Sequence, residues 1–294
     1  MKALAIVIAL AATAHAEPVT LGLFAPTSPF PSTAARVELA SKLGDGLGKA
    51  TGSAGTGKVY ARAADFASAV RKGDINVALV DAAYLANAGG SYTVIAAAVR
   101  GGDTVQGWQI VARGGKIADL KGKRVLVPGI GGREPEFVIN VLFGGEIARD
   151  YFGKIDTAPD TTSALAALGL GKADAAIVPT GVELPSGMTT VLTLPALSGP
   201  VLVAYGAVSP DRRAALAAAA TSFHGDATVG GFRASDADAV KAINRRFTVA
   251  VKRGPLAVPS VRLLVGDLVE GRTLAIERTP VTTFAVAPPS DGHH

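Results

Sequence analysis

Short apolar runs that read as buried strands alternate along this chain with longer stretches that read as helices. Val19–Phe24 is the first such strand, a loop of prolines and hydroxyls fills Ala25–Thr33, and Ala34–Leu47 reads as a helix. The pattern then recurs in two similar segments. In the first, Ala69-Val70-Arg71-Lys72-Gly73-Asp74 leads into the apolar run Ile75–Val80. In the second, Ala167-Leu168-Gly169-Leu170-Gly171-Lys172 leads into Ala173–Val178. Each ends a helix at a glycine, the residue that most readily takes a left-handed C-terminal turn. Each then enters a short, nearly all-apolar strand of the kind covered on both faces in parallel sheets. Upstream of each stands another strand and a Pro/Gly-rich loop, Val19–Pro29 in one case and Arg124–Gly132 in the other. Each half therefore reads strand, loop, helix, strand, helix, strand, which predicts two α/β lobes built on parallel sheets.

The connections suit a hinge. Thr93–Val99 and Trp108–Ala112 read as strands separated by Gly101-Gly102-Asp103 and Gly107, a crossing from lobe one to lobe two. The return is expected at Leu194–Pro200, before a strand Val201–Tyr205. Ser209-Pro210 opens a helix with a capping serine and a proline in its first position, running to about Phe223, and Ser235–Phe247 reads as another helix capped by Ser235. The expected layout is residues 17–104 for the first part of lobe one, 105–196 for lobe two, 197–248 for the return to lobe one, and 249–294 as a C-terminal extension. In that extension Thr248–Val251, Leu274–Arg278 and Thr282–Val286 read as strands and Ala287–His294 as disordered.

Residues 1–16 carry the marks of a secretion signal: Met1-Lys2, an apolar run Ala3–Thr13, and the small-x-small site Ala14-His15-Ala16. That run is too short to span a bilayer, which takes about 20 residues. The chain has no cysteine, so disulfides cannot brace it and a lipoprotein anchor is excluded; the mature protein, starting at Glu17, is expected free in the periplasm. The formal charge of +5 is scattered, and aromatic residues make up 5% of the chain. This argues against a nucleic-acid surface and fits mild steering of an anionic ligand. Catalysis is not expected. His224, His293 and His294 form no cluster, and there is no cysteine nucleophile, Gly-x-Ser-x-Gly elbow or close carboxylate pair. The two terminal histidines make no closed metal site, and no cofactor is called for.

The sequence resembles the type II periplasmic solute-binding proteins, in particular the phosphate/phosphite/phosphonate-type binding proteins of ABC transporters. The resemblance rests on Leu23-Phe24-Ala25-Pro26, on Gly73–Val80 with Tyr84-Leu85, on Ile117–Val125, on Gly171–Ala176 and on Gly231–Asp238, in family order over residues 19 to 248. It implies an α/β fold of two Rossmann-like lobes with a hinge, a crevice between them, and delivery of ligand to a membrane permease; the protein is expected to be a monomer.

In open α/β sheets, ligands sit beyond the carboxyl ends of the strands, at helix N-termini. Four segments qualify. Thr27, Ser28, Ser32 and Thr33 follow the first strand, and serve either as caps or as anion ligands. Asp81 and Tyr84 follow the strand ending at Val80; the resemblance gives Tyr84 a place lining the pocket, while packing on a helix suits a tyrosine equally. Gly131, Gly132 and Arg133 stand where the family's phosphonate binders carry a serine/threonine cluster. Here the glycines allow close backbone approach, Arg133 offers a fork to an oxyanion or carboxylate, and Glu134 would meet an amine or repel a dianion. Asp160, Thr161 and Thr162 cap the helix ahead of Ala164. The ligand implied is small and anionic or zwitterionic. The missing cluster leaves open a scaffold or sensor subunit with a degenerate crevice.

Overall fold

The computed structural model describes residues 17–226 and 228–248; the signal segment and the expected strands beyond Thr248 lie outside the described residues. Two mixed sheets form the frame. The first has six strands in the order β11-β4-β10-β3-β1-β2 and the second five, β7-β6-β8-β5-β9. In the first sheet β1 (Val19–Phe24), β2 (Gly55–Val59) and β3 (Val77–Asp81) are parallel, joined through helices α1 (Thr33–Ala50) and α2 (Ala63–Lys72). Helix α2 stops at Gly73, which is left-handed at φ 76° and turns the chain into the fully buried β3. Helix α3 (Ala82–Ala88) then leads to β4 (Tyr92–Val99). The second sheet holds β5 (Val105–Ala112), β6 (Arg124–Pro128), β7 (Lys154–Ala158), β8 (Ala175–Pro179) and β9 (Thr189–Ser198). Helix α5 (Thr161–Gly169) connects β7 to β8. Between β6 and β7, α4 (Glu134–Glu136) continues as a π-helical stretch over Phe137–Leu142.

The alternation of elements predicts parallel sheets, but both sheets are mixed. β5 runs antiparallel to β8, and β10 (Pro200–Tyr205) runs antiparallel to both β3 and β4. The cause is the double crossing. A chain arriving from the other lobe enters each sheet at the crevice end, where the parallel strands finish, so it must run against them. The outward crossing is Arg100–Thr104 and the return is Gly199 alone, because β9 extends through Ser198 where a loop from Leu194 is expected. The Gly199 N–H donates to the Thr104 carbonyl at 2.9 Å, tying the two crossings side by side. Helix α6 (Pro210–Thr221) is capped by Ser209 as its sequence requires. Helix α7 starts at Asp238 rather than Ser235, because the Asp236 carboxylate takes the Asp238 N–H; the helix ends at Phe247. β11 (Gly231–Ala234) closes the edge beside β4.

Helix α1 lies unusually close on β2. Gly44 and Gly48 of the helix face Gly55 and Gly57 of the strand, and a Cβ at Gly57 would run into the Ala40 carbonyl oxygen. Gly57→Ala is therefore expected to cost about 1–3 kcal/mol, measured as a lower urea midpoint at unchanged slope. An unchanged midpoint would mean that the helix can lift off the strand without loss.

One apolar cluster runs through both lobes. It joins Phe24, Phe66, Tyr84 and Leu85 to Ile130, Phe137 and Val138 by way of Val240, Ile243 and Phe247 of α7. Asn244 of α7 donates to the Ala86 carbonyl in lobe one at 2.6 Å, and Asn140 of lobe two donates to the Phe247 carbonyl at 3.3 Å. The returning helix thus braces the lobes on one flank of the crevice.

Candidate functional site

The loop after β1 is drawn into the crevice by polar contacts from three elements. The Thr27 N–H donates to Asp81 Oδ2 at 2.8 Å, within lobe one. From lobe two, Gln106 Nε2 donates to Thr27 Oγ1 at 3.1 Å. The Thr161 N–H donates to the Pro26 carbonyl at 3.0 Å, and its hydroxyl to the Thr27 carbonyl at 3.0 Å. Beside them Arg36 of α1 pairs with Asp160 at 2.6 Å, and Asp160 also caps α5 by accepting the Ser163 N–H at 2.8 Å. Burial pushes the Asp160 carboxyl up, but the Ser163 hydrogen bonds and the Arg36 guanidinium outweigh it and hold it below its ordinary value. Asp81 is different. Complete burial drives its carboxyl up to about 7, against the pull of Thr27 and the Arg36 charge, and its Oδ1 has no partner among the described residues. A buried carboxylate with one bare oxygen is costly.

The other candidate positions are placed less favourably for a ligand. Ser32 caps α1 by accepting the Ala35 N–H, and both it and Thr33 are exposed. Thr162 is likewise exposed on α5. Tyr84 is buried edge-on to Phe24 at 4.9 Å and to Phe66 at 5.5 Å. It packs so tightly on Gly131 that a Cβ there would sit 2.8 Å from its ring. Its hydroxyl pKa is raised by burial. Gly131, Gly132 and Arg133 all have positive φ, at 87°, 109° and 57°. Two of the N–H groups that this turn offers are already taken. Glu134, which is buried, accepts from Ile130 N–H at 2.9 Å and from Gly132 N–H at 3.0 Å through one oxygen, Oε1. The Arg133 guanidinium lies over the Phe247 ring at 4.9 Å.

Open space in the crevice lies elsewhere. Where Pro26, Arg36, Tyr60 and Asp160 meet there is a gap of only about 30 Å³, the room of a water molecule. On the hinge flank a cavity of about 280 Å³ is lined by both lobes and both crossings, with Ser28, Arg100, Asp103, Gln106, Thr180 and Thr228 among its walls. No group of metal-ligating side chains gathers among the described residues. Among them, too, no helix is long and apolar enough to cross a membrane.

Residues 27–252 match the family described as ABC transporter, phosphonate, periplasmic substrate-binding protein. The chain belongs to this family. Solved structures share its fold at low identity. PhnD1 from Prochlorococcus marinus, in complex with methylphosphonate, is 13% identical with a TM-score of 0.62, covering 78% of this chain and 96% of its own. XAC2383 from Xanthomonas citri, bound to chloride, gives the same identity, TM-score and coverage. A binding protein component of an ABC phosphonate transporter from Pseudomonas aeruginosa is 13% identical with a TM-score of 0.60, covering 78% of this chain and 84% of its own. No curated protein matches the sequence.

Within this family member the structure brings Thr27, Asp81, Asp160 and Thr161 together at the lobe contact, and Ser28 onto the hinge-side cavity. It holds Tyr84, Gly131, Gly132 and Arg133 on the packed flank beside α7. Arg36, Gln106, Arg100, Thr180 and Thr228 escape a reading of the sequence. Only Thr180 carries a signal there, as the first hydroxyl after the apolar run ending at Val178 and Pro179.

Proposed function

We propose that this chain is the periplasmic receptor of an ABC importer, a non-enzymatic monomer that captures a small anionic or zwitterionic solute between its lobes and presents the closed form to a permease. The observation that carries this reading is the lobe contact. Two lobes linked by the crossings Arg100–Thr104 and Gly199, and braced on one flank by α7, are clasped by Arg36–Asp160, by Thr161 on the Pro26–Thr27 carbonyls and by Gln106 on Thr27. Polar contacts across a two-stranded hinge suit a clamp whose closure a ligand stabilises. The secretion signal read at residues 1–16 and the family's periplasmic description support the compartment. Family membership and the scattered charge support a small solute rather than nucleic acid.

The test is thermal unfolding of the mature chain against phosphate, phosphite, phosphonates, sulfonates and small amino acids. A true ligand at 100 times its dissociation constant is expected to add about 2.7 kcal/mol, a shift of several degrees at this size. Saturation of the shift would support the receptor. A flat response across the whole panel would remove it.

A further inference from the structure

We infer that the ligand's anionic group docks on Arg100 in the hinge-side cavity rather than on the loop after β6, and that the ligand is a small zwitterion. This deepens the receptor reading and rests on it. A tetrahedral oxyanion needs several converging N–H and O–H donors. The loop Ile130–Arg133 has no hydroxyl, and two of its N–H groups are held by Glu134 Oε1. The chain's own carboxylate therefore occupies the place of an incoming anion and adds like-charge repulsion. Arg133 is turned onto Phe247, and Tyr84 covers Gly131.

The hinge-side cavity has the opposite character. Arg100 and Asp103 both line it, and neither enters an ion pair among the described residues; Asp103 is exposed, and its Oδ1 accepts the Thr104 and Val105 N–H groups. One Arg100 nitrogen, Nη2, reaches across to the Gly181 carbonyl at 2.9 Å, which fixes the planar head at the lobe boundary with its other N–H groups uncommitted. Burial lowers its pKa, but an arginine stays charged. The hydroxyls of Ser28, Thr180 and Thr228 make no hydrogen bond among the described residues, although Ser28 and Thr228 are buried. A guanidinium and a carboxylate, each without an ion-pair partner among the described residues, together with idle hydroxyls in the same lining, match a molecule with one charge of each sign. About 280 Å³ is at the small end of ligand pockets. A ligand held there touches both lobes and both crossings, so its binding closes the hinge directly.

The test is calorimetric titration of the full mature chain with glycine, β-alanine, L-serine, acetate, methylphosphonate and inorganic phosphate. At least one zwitterion is expected to bind, more tightly than acetate. Arg100→Met should weaken it by about tenfold or more, the loss of a charged hydrogen-bonding partner. Thr180→Val, which keeps the side-chain shape and breaks no internal hydrogen bond, should weaken it by about two- to tenfold. Binding of methylphosphonate or phosphate that survives Arg100→Met and is lost in Arg133→Ala would overturn the location while sparing the receptor. Zwitterion binding unaffected by either hinge-side variant would overturn it as well. Absence of binding by every probe would overturn the inference together with the receptor reading.

Discussion

Asp81→Asn is expected to flatten the pH dependence of stability and to make the protein more stable than the wild type in mild alkali. The native carboxyl is raised from 3.8 to about 7, chiefly by burial. The native state therefore holds its proton more tightly than the unfolded chain. The sign of the linkage follows: the benefit of the protonated, buried acid is complete below pH 3.8 and is lost as pH rises through about 7. A shift of about three units corresponds to roughly 4 kcal/mol across that window. Asparagine keeps an oxygen for the Thr27 N–H but has no charge to bury. Melting curves taken between about pH 5 and pH 8 should fall for the wild type, by roughly 10 °C, and stay level for the variant. Parallel curves would show that Asp81 has water or a cation at its bare oxygen.

Phe137→Ala is expected to remove about 3–5 kcal/mol, a large share of the stability of an ordinary domain. Phe137 is fully buried at the start of the π-helical stretch, edge-on to Trp108 at 5.2 Å and 6.2 Å from Phe247. It thus joins the second sheet to α7, the helix that returns from lobe one. Trp108 is the only tryptophan in the chain, so its emission reports this contact alone. The variant should show both a lower urea midpoint and a red-shifted native emission. Phe137→Leu, which keeps most of the volume, should lose less than half as much. A cost below about 1 kcal/mol for the alanine variant would mean that α7 does not brace the two lobes.

The lobes were legible because their cues are local. The glycine stops after α2 and α5, the apolar run of β3 and the serine cap of α6 each depend on neighbours a few residues away. Hydroxyls and carboxylates after strand ends were legible for the same reason, and Thr27, Asp81, Asp160 and Thr161 do meet. What local pattern does not contain is the partner across the crevice. Nothing in the order of residues tells that Thr161 bonds to the Pro26 and Thr27 carbonyls, 135 and 134 positions away. The same limit explains Glu134: the sequence reads it as facing a ligand, whereas its burial and its bonds to Ile130 and Gly132 N–H depend on the local left-handed turn it stabilises. The strand β9 was hidden because Pro195 and three threonines interrupt its apolar run, and among the described residues it pairs only with β5.

The antiparallel insertion of β10 has a consequence for how the chain acquires its structure. The second sheet is drawn from one unbroken stretch, Val105 to Ser198, whereas the first cannot be completed until residues 200–205 arrive to fill the slot between β3 and β4. Until then two long apolar strand edges stand open to other chains. An emerging polypeptide would therefore finish its internal lobe first and hold its N-terminal lobe half-made. Non-local pairing of this kind folds slowly, so the interval before β10 docks is when this protein is most exposed to aggregation and most in need of a chaperone.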